Sequence, residues 1–97
     1  MTLPIEVSEE AEQDLAEAAL WYEERGAGLG VDLVVRARET IGRIAKTPLI
    51  YPIVHGMTRR AGVKRFPYGI FFRVYKDRIE VVGIFHDRRD PTLWQRR

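Results

Sequence analysis

Three strand-like runs in the C-terminal part of this chain follow one another almost without interruption. They are Arg59–Phe66, Gly69–Tyr75 and Ile79–Phe85, joined by Pro67-Tyr68-Gly69 and Lys76-Asp77-Arg78. A parallel crossover needs about a dozen residues or more, so links this short require antiparallel neighbours. The three runs are therefore predicted to form a meander. Along the middle run, Ile70, Phe72 and Val74 share one face and Phe71, Arg73 and Tyr75 the other. Parity alone leaves open which face meets the core.

The residues upstream supply what must cover that sheet. Leu3, Ile5 and Val7 alternate as a short strand, with Pro4 restricting the edge that can pair. Ser8 stands at an N-cap position followed by Glu9 and Glu10, which favour the positive end of a helix dipole. Ala11, Leu15, Ala18/Ala19 and Tyr22 then recur at helical spacing until Gly26. Glu9, Glu12, Glu17, Glu23 and Glu24 read as its solvated face rather than as a metal or acid–base cluster. Gly26-Ala27-Gly28-Leu29-Gly30 lacks the Lys-Ser/Thr ending of a phosphate loop and follows no strand, so it reads as a helix–helix connector. A second helix, with Leu33, Ala37, Ile41 and Ile44 on one face, ends near Thr47-Pro48. Residues 48–57 read as an extended connector. The expected order is β-α-α-β-β-β over one domain, 1–97: an α+β fold with a helical hairpin packed on a small, mainly antiparallel sheet.

Charge divides the chain. Residues 1–56 carry five Lys/Arg against ten Asp/Glu, and residues 57–97 carry eleven against four. The folded molecule should therefore have an acidic side and a basic side, the latter suited to a polyanion or an acidic protein segment. With no cysteine, disulfides, thiolate nucleophiles and Cys-based zinc sites are excluded. The N-terminus lacks signal-peptide character and no run has bilayer-spanning length, which leads to the expectation of a cytoplasmic protein with no membrane contact. Neither a metal site, a cofactor nor a complete catalytic set is expected.

The groups capable of chemistry are few. His55, beside Gly56, reads as a surface residue, whereas His86 ends the last strand close to Arg88 and Arg89. It would serve as a base, as a donor to phosphate, or simply as a strand-end residue bonded to backbone. Arg59, Arg60, Lys64 and Arg65 crowd the strand before the middle one, though Lys64 and Arg65 alternate sides. Arg88-Arg89-Asp90-Pro91 reads as a turn in which Asp90 caps the segment starting at Pro91. Trp94 is more readily a packing anchor than a binding residue.

An ordered set of short motifs spans nearly the whole chain: Ala11-x-x-Asp14-Leu15, Trp21-Tyr22-Glu23, Gly28-Leu29-Gly30 and Pro48-x-x-Tyr51-Pro52. It continues through Arg59-Arg60, Val63 to Tyr68 and Ile70 to Val74, and closes with His86-x-x-Arg89-Asp90-Pro91-x-x-Trp94. In this the sequence resembles the RelE/ParE superfamily of type II toxin–antitoxin toxins, also described as plasmid-stabilisation proteins. The resemblance implies a toxin neutralised by a cognate antitoxin, ParD-like or other, with operator DNA reached only through the antitoxin. RelE-like members cut messenger RNA on the ribosome, and ParE-like members poison DNA gyrase. The RelE pattern opens its middle strand Tyr-Arg-x-x-Tyr, where this chain has Tyr68-Gly69-Ile70-Phe71-Phe72. Arg73, four residues on and roughly 13 Å away, cannot replace that arginine, and the indole of Trp94 cannot exchange a proton usefully. The resemblance thus favours the ParE branch. It makes Arg73, His86, Arg88, Arg89 and Trp94 the candidate target-binding surface, and Arg59, Arg60, Lys64 and Arg65 candidate antitoxin or polyanion contacts. An RNA-cleaving toxin and a non-toxic antitoxin-binding module are the alternatives.

Overall fold

A computed structural model describes residues 2–97. Its elements are β1 (Ile5–Val7), α1 (Glu9–Arg25), α2 (Leu29–Lys46), a 3-10 turn (Pro48–Ile50), β2 (Ile53–His55), β3 (Thr58–Gly62), β4 (Tyr68–Val74), β5 (Ile79–His86) and the short α3 (Thr92–Gln95). The strands lie in the order β1-β5-β4-β3-β2, with β1 parallel to β5 and the other pairs antiparallel. The α+β class, the helical hairpin and the mainly antiparallel sheet agree with the expectation from sequence. No helix among the described residues is long and apolar enough to cross a membrane.

Local signals set the helices. The Ser8 hydroxyl accepts from the Ala11 N–H at 3.1 Å, and Glu9, Glu10 and Glu12 occupy the first turn of α1. Ala11, Leu15 and Ala18 form its buried stripe against Leu33, Ala37, Ile41 and Ile44 of α2. Gly30 lets the hairpin close, because a Cβ there would collide with the Ala19 carbonyl oxygen of α1. Glu23 lies on the solvated face as expected, but it also has a structural role there. Its carboxylate accepts from the Gly28 N–H at 2.8 Å and the Gly30 N–H at 2.9 Å, capping α2 where Gly28 has no side chain to do so.

The helices cover the face of β4 that carries Ile70, Phe72 and Val74, which answers the question parity left open. Phe71 lies on the far face with Val82 and Phe85, in a second, smaller cluster closed by Leu93 and Trp94 of α3. Trp94 stacks on Phe71 at 4.5 Å between centroids, so it folds back as a packing residue.

Three features depart from the expected strands. The connector contains β2, an edge strand whose residues are all exposed and therefore carry no burial alternation. The run Arg59–Phe66 stops at Gly62: Val63 and Phe66 both pack towards the helices at an odd separation, which an unbroken strand forbids. Arg65 absorbs the reversal with φ 72°, so Lys64 and Arg65 sit in a turn rather than on alternate sides of a strand. Finally, β5 carries a bulge. Phe71 pairs with Gly83 but Phe72 with Val81, leaving Val82 unmatched. The extra residue brings Ile84, like Val81, to the helix side.

Candidate functional site: the end of the sheet between β4, β5 and the C-terminal turn

The start of β4 and the end of β5 meet at one end of the sheet, where Tyr68 pairs with His86 and Gly69 with Phe85. Because of the bulge, His86 lies on the helix side, its ring 5.2 Å from that of Tyr68. Together with Asp14, Glu17 and Trp21 of α1 and with Arg89, these residues line a cleft of about 370 Å³. The Tyr68 hydroxyl has its pKa raised by burial first and by Tyr22 second, while Arg89 pulls the other way.

His86 is oriented by its own turn. Its Nδ1 accepts from the Arg88 N–H at 3.0 Å, and its carbonyl accepts from the Arg89 N–H at 3.0 Å. A ring nitrogen that accepts is unprotonated, so neutral His86 carries its proton on Nε2 and has only a donor to present. Asp90 then caps α3 as expected, its carboxylate accepting from the Thr92 N–H at 3.0 Å. Its pKa is lowered first by that backbone bond and next by the Thr92 hydroxyl.

The cations are distributed unevenly. Arg88 and Arg89 are exposed beside His86. Arg73 is at the other end of β4 on the open face, its Nε donating to the Thr58 hydroxyl at 3.2 Å. Five residues of strand separate it from Tyr68, about 17 Å, so it does not join His86, Arg88 and Arg89. Arg59 is committed internally, donating to the Tyr51 carbonyl at 2.7 Å and the Leu49 carbonyl at 3.4 Å. Lys64 and Arg65 are exposed in the β3–β4 turn. Arg60 crosses the open face above Gly69 and pairs with Asp87. A cation therefore does stand over Gly69, delivered from the neighbouring strand. Sequence reasoning along β4 alone could not find it.

It also gave no role to Asp14. This carboxylate accepts from the Ile84 N–H at 3.1 Å and from both terminal nitrogens of Arg97, at 2.9 and 3.2 Å. Arg97 Nη1 additionally donates to the Val82 carbonyl at 3.1 Å, and its guanidinium lies 4.9 Å from the Phe85 ring. The pair thus occupies the edge of β5 beyond Val81, where β1 has ended. A signal was present: at helical spacing Asp14 shares the buried side with Ala11 and Ala18. Among the described residues, no three His, Asp or Glu side chains gather closely enough to hold a metal ion.

The sequence matches, over residues 5–91, the family described as ParE toxin of type II toxin-antitoxin system, parDE. The chain belongs to the ParE toxin family. Its fold is similar to a chain solved in the chromosomal ParDE TA system from P. aeruginosa, with a TM-score of 0.78 and 18% identity, covering 88% of this chain and 96% of that one. No curated protein matches the sequence. As a ParE family member the chain is a toxin of the type II toxin–antitoxin class.

Proposed function

We propose that this ParE family toxin arrests growth by holding DNA gyrase in its cleaved-DNA state, and that a cognate, DNA-binding antitoxin neutralises it. The observation that supports the target reading is the placement of His86, whose Nδ1 accepts from the Arg88 N–H beside two exposed arginines. A donor-rich, cationic surface of this kind suits an anionic or carbonyl-rich partner. The contact surface in this reading is His86, Arg88, Arg89 and the tail through Trp94, with Arg73 a separate outlying cation.

Two surfaces favour a folding-on-binding antitoxin segment. The outer side of the helical hairpin has an apolar groove of about 430 Å³ between Leu20, Val31 and Val35. The sheet ends in the exposed edge β2, with Ile53, Val54 and the nearby Met57 uncovered. Lys64 and Arg65 add exposed positive charge for an acidic segment.

Purified protein, gyrase and plasmid DNA make the test. Supercoiling should stop, and linear DNA should accumulate after detergent and protease. Arg88→Ala/Arg89→Ala should relieve both effects while antitoxin binding persists. Full supercoiling at excess toxin, with growth arrest still seen in cells, refutes gyrase as the target. The RNA-cleaving alternative draws on Arg60, which puts a cation above Gly69. It predicts codon-positioned cuts by primer extension within minutes of induction. Absence of growth arrest without the antitoxin would instead indicate a binding module alone.

A further inference from the structure

Charged residues make up 31% of this chain, yet none falls in the twelve residues from Thr47 to Thr58. Uncharged runs such as Val81–Phe85 are buried. This one is not: Leu49, Ile50, Ile53, Val54 and Met57 are between 39% and 72% exposed. The patch borders an apolar cleft of about 420 Å³ between Leu3, Pro48 and Val74. It also forms the edge of the sheet, which ends at β2. Edge strands are ordinarily guarded by charge, as the opposite edge β1 is by Glu6, which lies 3.8 Å from Arg78. Pro52 is no such guard here. Its carbonyl accepts from the Arg60 N–H at 3.1 Å, so the N–H it lacks would also have pointed at β3. Ile53, next along, turns its own N–H and carbonyl to the outer edge.

We infer that a second copy of this chain pairs with this edge. Two β2 strands run antiparallel about a two-fold axis at Ile53, whose N–H and carbonyl exchange hydrogen bonds with the same residue of the other copy. The two sheets become one, and the apolar side chains around the edge pack against their equivalents. Charge selects a second copy as the occupant. An isologous contact sets a patch against itself, so a patch of one sign repels its own copy. The apolar groove of the hairpin lies on residues 9–46, which carry nine Asp/Glu against five Lys/Arg. Residues 57–97, at eleven Lys/Arg against four Asp/Glu, repel their own copy in the opposite sign. The uncharged run Thr47–Thr58 escapes both penalties. Its five apolar side chains expose on the order of 500 Å², near the upper end for one patch on a monomer. That is less than the roughly 800 Å² per partner of a standard interface, so the dimer is weak, with a Kd on the order of 10 µM. The inference does not depend on gyrase as the target, and an antitoxin segment that takes this edge displaces the second copy.

Sedimentation velocity of the full-length protein from about 1 to 100 µM, a range that brackets a weak interface, should show a monomer–dimer equilibrium. Ile53→Lys should weaken it about tenfold or more while circular dichroism and Tm stay unchanged, because the side chain is exposed and the new charge guards the edge. Raising NaCl from about 0.1 to 0.5 M should change the Kd by less than about twofold, since no charge is paired. The chain has no cysteine, so Ile53→Cys gives one thiol per copy. Hydrogen-bonded antiparallel partners stand about 5.5 Å apart at Cα, within disulfide reach. Ile53→Cys should therefore cross-link into a dimer under mild oxidation, and Val35→Cys in the hairpin groove should not. The cross-link decides the matter if Ile53→Lys fails to fold. A protein that stays monomeric to about 100 µM overturns the inference. So does a dimer that Val31→Lys abolishes and Ile53→Lys leaves intact, which puts the second copy on the hairpin. A dimer that weakens about tenfold over the same salt range also overturns it, in favour of head-to-tail pairing between the acidic and basic halves.

Discussion

Asp14→Ala tests how the C-terminal strap is held. The carboxylate serves two kinds of donor at once, the Ile84 N–H at the edge of β5 and the Arg97 guanidinium. Its side chain is 12% exposed and that of Arg97 22%, so the pair is neither fully buried nor screened like a surface pair. Leaving the Ile84 N–H without an acceptor costs about 1–3 kcal/mol. Losing the charged partner adds about 1 kcal/mol, placed between the ~0–1 of exposed pairs and the ~3–5 of buried ones. Asp14→Ala should therefore destabilise by about 2–4 kcal/mol, on the order of 10–20 °C in Tm for a domain of this size. Arg97→Ala keeps the Ile84–Asp14 bond and should cost only about 1 kcal/mol. Urea denaturation followed by circular dichroism gives the stabilities, and Trp94 fluorescence in a Trp21→Phe background reports the strap separately. The double variant should fall short of additivity by about 1 kcal/mol. Additivity within about 0.3 kcal/mol, or an Asp14→Ala loss no greater than that of Arg97→Ala, refutes the view that one carboxylate joins α1, β5 and the C-terminus.

Glu23 has its pKa lowered first by the Gly28 N–H and then by the Gly30 N–H, with smaller opposing desolvation. A depressed folded-state pKa stabilises above the unfolded value near 4.5 and is lost as pH falls through the lower folded value. Urea midpoints of Glu23→Gln should thus lie below wild type near neutral pH and converge with it in acid; a constant gap at all pH values would contradict the cap. Gly30→Ala should destabilise by about 1–3 kcal/mol through forced separation of α1 and α2, read as a lowered Tm with circular dichroism otherwise retained. Trp94→Ala should cost about 2 kcal/mol, less than the ~3–5 of a fully buried aromatic, and raise binding of an apolar dye to the uncovered Phe71–Phe85 face. Unchanged dye binding would show that α3 does not cover that face.

Local patterns carried much of this fold. Ser8, Gly26 and Thr47-Pro48 bound the two helices because capping and helix termination are settled within a few residues. The short links around Pro67 and Asp77 required antiparallel strands for reasons of chain reach alone. His86, Arg88 and Arg89 were legible as neighbours because they are neighbours in sequence. The Asp90 cap was legible for the same reason.

Tertiary structure decided everything that depends on a second element. Parity could not say whether Ile70 or Phe71 faces the helices, since each face of β4 carries apolar side chains that the fold buries. The bulge at Val82 resets the alternation of β5; Gly83 beside it is its one local signal, because the flanking apolar side chains suit either face. Arg73 and His86 were grouped by charge, yet strand geometry holds them at opposite ends of the β4–β5 pair. Arg60 with Asp87 and Arg97 with Asp14 are pairings across 27 and 83 residues. Sequence fixes which side chains are able to pair, but a charge acts through distance in space. Only the closed sheet and the folded-back C-terminus make those distances short.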